Sequence, residues 1–557
     1  MTAATTVFPA RRVITMEPTL PDATAVSVSG DRIVAVGSFE ELRTRDGAVI
    51  DETFADAVVC PGFIEQHLHP ILAATTLVTE VIAPEDWVLP GRTFAAATSE
   101  DMYRQALHNA DHACGDPDGW LFSWGYHPLW HGPLDRFVLD EINRVRPIAV
   151  WHRSCHEWFL NSAAVAILGI SPENMAGHGR PSTMVDVDRG HWWETGMNLL
   201  LSKLAPVFTS AERLTAGLRQ LVAYLHSTGV TAINEPGIMW DVEPWQLYQH
   251  ILGAENTPFL STFLVDARSQ ADAGMDPADA VADAEAQVAR ACDGKVRLLP
   301  KQVKLFADGA IISQLMQMQE PYLDAAGRPD PHHHGEWMMY PDAFRAFAKV
   351  YWDAGWQLHI HVNGDAGLEL VLDTIEQCMA THPRSDHRTV IVHFANSTED
   401  QIDRIARVGA IVSANPYYPV GFADKYSEHG LGPDRADTMV RSASVLRRGI
   451  PLSFHSDLPM GPADPLTLAW CAVNRRTPSG RTACPEQRIS VHDALRAITI
   501  EAAYSWRMEH ELGSVAVGKL ANFTILGEDP YTVNPEKLNQ ISVLGTVYAG
   551  RWFPASG

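Results

Sequence analysis

Short apolar runs alternate with segments of helical periodicity through the centre of this chain. Eight of the runs predict strands, at 63–69, 230–235, 259–265, 301–306, 356–361, 389–393, 409–413 and 451–456. Helical patterns lie between several of them or follow the last one, at 341–354, 366–380, 399–408 and 490–507. This alternation is typical of β/α units. Eight such units predict a (β/α)8 TIM barrel, in which reactive groups lie at the carboxyl ends of the strands.

The two ends of the chain have a different pattern, rich in short strands and turns. Strand patterns occupy 12–16, 25–28, 32–37 and 57–59 near the start, and 522–526 and 542–548 near the end. We interpret residues 1–57 and 510–557 as one small β-sandwich domain, with the barrel at 58–509. End strands that cap the barrel separately would give the same pattern.

One gap between predicted strands is too long for a single helix. Residues 71–229 separate the first strand from the second and amount to an insertion of about a domain's size. The insertion carries eight of the 16 tryptophans, among them Trp120, Trp124, Trp130, Trp151, Trp158, Trp192 and Trp193.

Composition narrows the classes of function. The 557 residues include 43 basic and 67 acidic side chains, a net charge of −24, so nucleic acid and anionic membranes are poor partners. Seven scattered cysteines form no C-x-x-C pair, which argues against a disulfide framework or a zinc ribbon. The first residues lack a signal-peptide pattern, and no apolar run reaches membrane-spanning length. We therefore expect a cytoplasmic protein without a membrane partner, and the sequence is compatible with a homo-oligomer.

The segment 62–70 carries the most informative motif, two histidines at i and i+2. If the predicted strand continues through them, His67 and His69 present both imidazoles on one face at its end. Such a pair is half of a site for a borderline metal such as zinc. Two surface histidines beside a proline turn are the alternative interpretation.

Further titratable groups follow the other predicted strands. Lys304 lies on the fourth strand, His361 on the fifth and His393 on the sixth, while His455 and Asp457 follow the eighth. A single histidine is more often an ordinary polar residue. Several such groups at successive strand ends predict a reactive site at one rim of the barrel.

These motifs resemble the amidohydrolase superfamily. The similarity is greatest to amidohydrolase family 3, which includes N-substituted formamide deformylase-like and YtcJ-like proteins. It covers nearly the whole chain and rests on PGFIEQHLHP (61–70), KLFADGA (304–310), HVNGDAG (361–367), VHFA (392–395) and HSDLPMGPADPL (455–466). Weaker support comes from HEWFLNSAAVAILGI (156–170) and GSVAVGKLANFTIL (513–526).

The resemblance implies a ligand set. It makes His67, His69 and Asp457 ligands of one metal and His361 and His393 ligands of a second. Lys304 would bridge the two as an N-carboxylated lysine. An ordinary buried lysine paired with Asp308 is the alternative, and it would leave a mononuclear site. Asp457 would also take a proton from water and deliver it to the leaving amine, unless it serves as a ligand only.

The chain departs from the family at three positions, and one departure bears on substrate. Glu65 and Asn522 each replace a usual aspartate. His455 replaces a small residue, and it either contacts substrate or packs beneath the metal site. The residues predicted to contact substrate are Trp124, His156, Trp192, Trp193, Phe306 and His455.

The predicted function is hydrolysis of a C–N bond in an amide, N-substituted formamide, carbamate or cyclic imide. The expected cofactor is a divalent metal, zinc, at one or two ions per chain, and the expected partner is a small aromatic or apolar substrate. Two alternatives stay open: a decarboxylase or esterase on the same scaffold, and a non-catalytic metal-binding regulatory protein. A structural zinc site is closed by four ligands, whereas a ring of groups at a barrel mouth favours an open, reactive site.

Overall fold

The structure is a computed structural model that describes residues 5–116, 119–175, 184–193, 196–238, 242–324 and 326–555. The chain divides into two compact units. One unit contains residues up to His69 and from Leu225 onward, and the other is Pro70–Tyr224.

The larger unit contains a nearly closed barrel of eight parallel strands, which confirms the predicted fold class. The strands are paired in chain order: Phe63–Glu65, Val230–Ile238, Leu260–Asp266, Val296–Phe306, Gln357–Val362, Val390–His393, Ile411–Ala414 and Leu452–Phe454. Beyond the first and last strands, the Asp457 amide donates to the His67 carbonyl at 3.0 Å. The His69 amide donates to the Leu458 carbonyl at 3.1 Å. These two bonds bring the ends of the first and last strands together.

The first barrel strand is shorter than predicted. It ends at Glu65, so the expectation of one strand over 63–69 is wrong, and His67 and His69 lie in the turn that follows. The turn is held by backbone bonds to other strands, because the Leu68 amide donates to the Asn234 carbonyl at 3.0 Å. Alternation along a strand therefore does not determine the directions of the two imidazoles.

Helices follow most of the barrel strands. They are Val242–Ile251, Ala267–Asp272, Pro277–Arg290, Pro341–Asp353, Asp365–Thr381, Glu399–Val408, Tyr417–Glu428, Pro433–Asp437, Ser442–Arg447, Pro465–Asn474, Val491–Ala497 and Ile500–Ser505. The single helix predicted over 490–507 is wrong. Thr499, with φ −135° and ψ −98°, lies outside the helical region and divides the segment into two helices.

The two termini form one eight-stranded sheet, as predicted. Its order is Arg551–Pro554, Val543–Tyr548, Phe523–Leu526, Val58–Pro61, Thr5–Ile14, Asp22–Ser29 and Arg32–Gly37, with Ala48–Ile50 beside Thr5–Ile14. Both halves of the long first strand pair with Asp22–Ser29, with a change of register between Pro9 and Val13. On its other edge the first half pairs with Ala48–Ile50 and the second half with Val58–Pro61. Val13, Val59, Phe523 and Val547 share one buried core, which unites the two ends of the chain as expected for a small sandwich domain.

The unit Pro70–Tyr224 has its own sheet and its own core. The sheet order is Val185–Asp186, His191–Trp193, Glu157–Leu160, Ile148–His152, Leu121–Tyr126 and Glu80–Val81, with a separate pair Trp87–Leu89 and Arg92–Phe94. Its helices are Pro70–Leu77, Glu100–Ala113, Pro128–His131, Arg136–Ile142, Ser162–Ile167, Pro172–Met175 and Gly196–Phe208, and Ala211–Ser227 leads back to the barrel. In the described parts of the whole chain, no helix is long and apolar enough to cross a membrane.

Candidate metal centre

Three side chains at the carboxyl end of the barrel form a compact triangle of potential ligand atoms. His67 Nε2 and His69 Nε2 are 3.3 Å apart. Asp457 Oδ1 lies 3.2 Å from His67 Nε2 and 3.1 Å from His69 Nε2. Tetrahedral zinc with bonds of about 2.0–2.1 Å has ligand atoms about 3.3–3.4 Å apart. The triangle therefore has the dimensions of one face of a tetrahedral site, with the fourth position left for another ligand.

The buried side chain of Glu65 connects the two turns that carry this triangle. Glu65 Oε1 accepts a hydrogen bond of 2.8 Å from the amide of Ser456, just before Asp457. Burial raises the pKa of Glu65 to about 8, against the opposing effect of the backbone donors at Ser456 and His67. The glutamate that departs from the family pattern thus links the first barrel strand to the turn after the eighth.

Glu235 belongs to the site, although sequence reasoning missed it. It lies on the second barrel strand, and its Oε1 is 2.6 Å from His69 Nδ1. This contact directs the other ring nitrogen of His69 toward the triangle, as carboxylates do for metal-ligating histidines. The sequence feature that could have indicated Glu235 is an acidic residue close to the carboxyl end of an apolar strand. It lies 166 residues away from His69.

His393 and His455 lie against the triangle. The His393 ring is 4.9 Å from the ring of His67, and His393 Nδ1 lies 3.6 Å from Asp457 Oδ2. The His455 ring stacks on that of His67 at 4.8 Å, and His455 Nε2 is 3.2 Å from His393 Nδ1. Among the residues that the structure describes, two groups have the spacing to hold a metal ion: His67, His69 and Asp457, and His67, His393 and His455.

His361 and Lys304 are close to the cluster but outside both groups. The His361 ring is 4.3 Å from that of His393, and His361 Nε2 is 3.0 Å from the side-chain nitrogen Nδ2 of Asn363. Lys304 is fully buried, and its Nζ has no hydrogen-bond partner among the residues that the structure describes. An orphaned buried amine beside several imidazoles is suited to modification or to a bound anion.

Asp308 does not pair with Lys304, so that alternative interpretation of Lys304 is not supported. Its carboxylate accepts backbone hydrogen bonds from Asn363 at 2.8 Å, Gly364 at 2.7 Å and Gln317 at 2.9 Å. These bonds fix the turn after the fifth barrel strand. Within the described ranges, no salt bridge joins Lys304 to Asp308.

The electrostatics of the cluster favour bound positive charge. Burial opposes ionisation of Asp457, but His393, His69 and His455 hold its pKa well below the usual range. Burial also favours a neutral ring at His69, yet the charge of Glu235 and the bond to Asp457 raise its pKa to about 10. Burial lowers the pKa of His455 to about 3 and that of Lys304 to about 7, despite the attraction of nearby carboxylates for Lys304. A cation at the triangle would take the place of the proton on His69.

Two members of the cluster have left-handed backbone conformations. His393 has φ 74° and Asp457 has φ 58°. A non-glycine residue in this region costs about 1–3 kcal/mol and is retained where the surroundings impose it, which is common at functional sites. Here the conformation brings the imidazole of His393 and the carboxylate of Asp457 toward each other.

The residues predicted to contact substrate fall into two groups. Phe306 ends the fourth barrel strand with its ring 5.4 Å from that of His361, and His455 lies inside the cluster described above. Trp124, His156, Trp192 and Trp193 lie in the unit Pro70–Tyr224. Trp124 and Trp192 end a row of four paired tryptophans across its sheet and are fully buried, whereas His156 and Trp193 are partly exposed. Substrate contact by these residues stays a prediction.

A family model, curated proteins and solved structures each match nearly the whole chain. The model of the amidohydrolase family matches residues 55–553. N-substituted formamide deformylase of Arthrobacter pascens is 28% identical, over 95% of this chain and 94% of that protein. Protein LONG AFTER FAR-RED 3 of Arabidopsis thaliana is 25% identical, over 97% of this chain and 90% of that protein. An uncharacterized metal-dependent hydrolase from Pyrococcus horikoshii OT3 has the same fold, with a TM-score of 0.71 and 19% identity, over 95% of this chain and 99% of the other.

Proposed function

This chain belongs to the amidohydrolase family, and on that premise we propose that it is a metal-dependent hydrolase of a non-peptide C–N bond. The observation that carries the proposal is the triangle of His67, His69 and Asp457. Its edges of 3.1–3.3 Å suit a tetrahedral metal that keeps one position for water or substrate. An open position distinguishes a catalytic site from a structural one.

The proposed cofactor is zinc, at one or two ions per chain. Two imidazole nitrogens and one carboxylate oxygen are a donor set that zinc accepts readily. A zinc ion held there would polarise a carbonyl group and make water acidic enough to react near neutral pH. His393 and His361 would hold the second ion.

Asp457 is the proposed proton carrier. Its Oδ1 faces the two ligating histidines, whereas Oδ2 points toward His393 and is left for proton transfer. As the oxygen of water bonds to the substrate carbonyl carbon, Oδ2 takes the proton of that water. It then gives the proton to the leaving nitrogen as the C–N bond breaks. A formamide would thus yield an amine and formate.

Lys304 is the proposed bridge between two metals. Reaction of its neutral amine with CO₂ would form an N–C bond and release one proton, which gives an anionic carbamate in place of an uncharged amine. The unpartnered Nζ supports this step, since an ammonium group there lacks the hydrogen bonds that burial normally demands. A plain lysine would leave a mononuclear site.

The proposed substrates are small molecules with an aromatic or apolar group. The Phe306 ring beside His361 offers an apolar contact near the reacting bond. The similarity to an N-substituted formamide deformylase makes N-substituted formamides the first class to examine. Simple amides, carbamates and cyclic imides follow.

A substrate panel tests the proposal. Zinc-loaded protein is incubated with N-benzyl formamide and with the matching acetamide, carbamate, cyclic imide, ester and carboxylic acid. The release of amine, alcohol and CO₂ is measured, together with the ring-opened amide acid that the imide gives. We expect amine release or ring opening from at least one C–N substrate.

The same panel contains the contradicting results. Release of CO₂ alone would indicate a decarboxylase, and release of alcohol alone would indicate an esterase. If fully zinc-loaded protein converted none of these compounds, the result would favour a non-catalytic metal-binding role. Asp457→Asn serves as the control, because metal-independent background hydrolysis would survive it.

A further inference from the structure

We propose that His455 is a positioning residue for His393. A buried relay of hydrogen bonds would hold His393 as the tautomer with its proton on Nδ1, which leaves Nε2 bare for a metal. This inference rests on the proposed metal-dependent function, because it assigns His455 a role at the same site. The directions of the hydrogen bonds follow from the acceptor at the far end of the relay.

The relay begins at a backbone carbonyl, which can only accept. Ser505 Oγ donates its single hydrogen to the Ala502 carbonyl at 2.7 Å. Ser505 Oγ must therefore accept in its contact of 3.1 Å with Gln66. The end of the Gln66 side chain that faces Ser505 is thus the NH₂ group, and the other end is the carbonyl oxygen.

The same reasoning passes through Ser413 to His455. The carbonyl oxygen of Gln66 can only accept, so Ser413 Oγ donates its hydrogen to it at 2.6 Å. Ser413 Oγ then has only lone pairs left for His455 Nδ1, which lies 2.9 Å away. His455 Nδ1 must carry a hydrogen, and Nε2 of the neutral ring carries a lone pair.

His393 supplies the hydrogen that this lone pair needs. His455 Nε2 lies 3.2 Å from His393 Nδ1, and two bare lone pairs at that distance would repel each other. His393 Nδ1 therefore carries a hydrogen, so its Nε2 is the nitrogen with a free lone pair. Asp457 Oδ2, at 3.6 Å, is too distant from His393 Nδ1 to accept a hydrogen bond. The Tyr418 hydroxyl also lies 3.4 Å from His393 Nδ1, which is longer than the 3.2 Å to His455 Nε2.

Burial makes the relay rigid. Gln66 and Ser505 are each 1% exposed, and Ser413 and His455 have no exposed surface. Water therefore cannot compete for the hydrogen bonds of these groups, and each hydrogen has one favourable position. Metal-ligating histidines usually donate their second ring N–H to a fixed acceptor. For His393 that acceptor is another imidazole.

Neutron diffraction on crystals of the metal-free wild-type protein tests the relay without any substitution. We expect deuterons on Nδ1 of both His393 and His455, and on the Ser413 oxygen toward Gln66. A deuteron on Nε2 of either histidine would overturn the proposal. This readout does not depend on activity, so it stands even if the proposed hydrolysis is wrong.

A matched pair of variants tests the consequence for metal binding. In His455→Gln the side-chain carbonyl reaches the position of Nε2 and can still accept from His393. In His455→Asn the side-chain amide reaches only the position of Nδ1, so it can form a hydrogen bond with Ser413 but not with His393. Both variants lose the ring that stacks on His67, which makes each a control for the other.

Metal affinity is measured by competition with a chelator, and zinc positions by anomalous diffraction. We expect His455→Asn to bind the zinc held by His393 about 10–100-fold more weakly, and His455→Gln to stay close to wild type. Equal affinities in the two variants, or anomalous density bonded to His455 Nε2, would overturn the proposal. A wild-type protein that binds no zinc would refute the proposed function instead, and the neutron result would still decide the relay.

Discussion

Glu235 and His69 are joined by the shortest contact to any of the three triangle side chains, 2.6 Å between Oε1 and Nδ1. The carboxylate lies on the second barrel strand, and the histidine lies in the turn after the first. Because Nδ1 is committed to Glu235, Nε2 of His69 is the nitrogen available to the triangle with His67 and Asp457. One contact thus sets the direction of a proposed ligand that lies outside any strand.

Glu235→Gln should weaken metal binding. The amide carries no charge and pairs less strongly with the His69 N–H, so the ring becomes a weaker and less fixed ligand. We expect zinc affinity to fall about 10–100-fold, as measured by chelator competition. Glu255→Gln, on an exposed side chain, is the control and should match wild type. Unchanged affinity in Glu235→Gln would show that the contact does not support the site.

Asp457→Asn should separate metal binding from turnover. The amide keeps the shape and one ligating oxygen but cannot accept the proton from water. We expect kcat to fall by about 10²–10⁴, with much of the metal and near-normal substrate affinity retained. The check is steady-state kinetics together with metal analysis of the same sample. If more than about a tenth of the wild-type kcat survived, which is well above the loss expected for a proton carrier, another group would be the base.

The sequence paired His67 and His69 as proposed metal ligands for a reason that was partly incorrect. Alternation along a strand was expected to align His67 and His69, but the strand ends at Glu65. A turn held by the backbone of Asn234 and Leu458 nevertheless brings both Nε2 atoms within 3.1–3.2 Å of Asp457 Oδ1. Glu235 could not be predicted from the sequence, because its role depends on a contact between residues that are far apart in sequence.

Lys304 should make assembly of the metal site depend on CO₂. Metal-free protein should regain activity more fully when zinc is added with bicarbonate than when it is added alone. Lys304→Ala should lose this dependence, and short carboxylic acids should partly restore its activity. Lys301→Ala, an exposed neighbour on the same strand that pairs with Glu285, is the matched control. Electron density for an unmodified amine directed away from the metals would contradict the bridge.

Asp308→Asn should destabilise the barrel without removing a ligand. The wild-type carboxylate accepts three backbone hydrogen bonds, and an asparagine would present its NH₂ group to at least one of those donors. Each lost bond to a charged group costs about 1.5–3 kcal/mol, so the thermal midpoint should fall measurably. Asp342→Asn, at an exposed helix start, should leave the midpoint unchanged. An unaltered midpoint in Asp308→Asn would contradict a structural role for this carboxylate.

The fold was more predictable than the site. Apolar runs such as 390–393 and helical patterns such as 399–408 determine buried strands and amphipathic helices locally, so the barrel followed from their order. The break at Thr499 was not predictable from periodicity, because both halves of 490–507 keep the apolar spacing of one helix. Trp124 and Trp192 are fully buried in a row of paired tryptophans, an arrangement that composition alone does not indicate.

Metal content tests the central claim most directly. Protein purified without chelator is analysed for transition metals, beside His67→Ala and the control His332→Ala, whose side chain lies on an exposed loop. We predict about one to two zinc-like ions per chain in the wild type and in His332→Ala, as expected for an open catalytic site. His67→Ala should lose most of the metal and most of the activity. Fully folded wild-type protein with no transition metal would contradict the account.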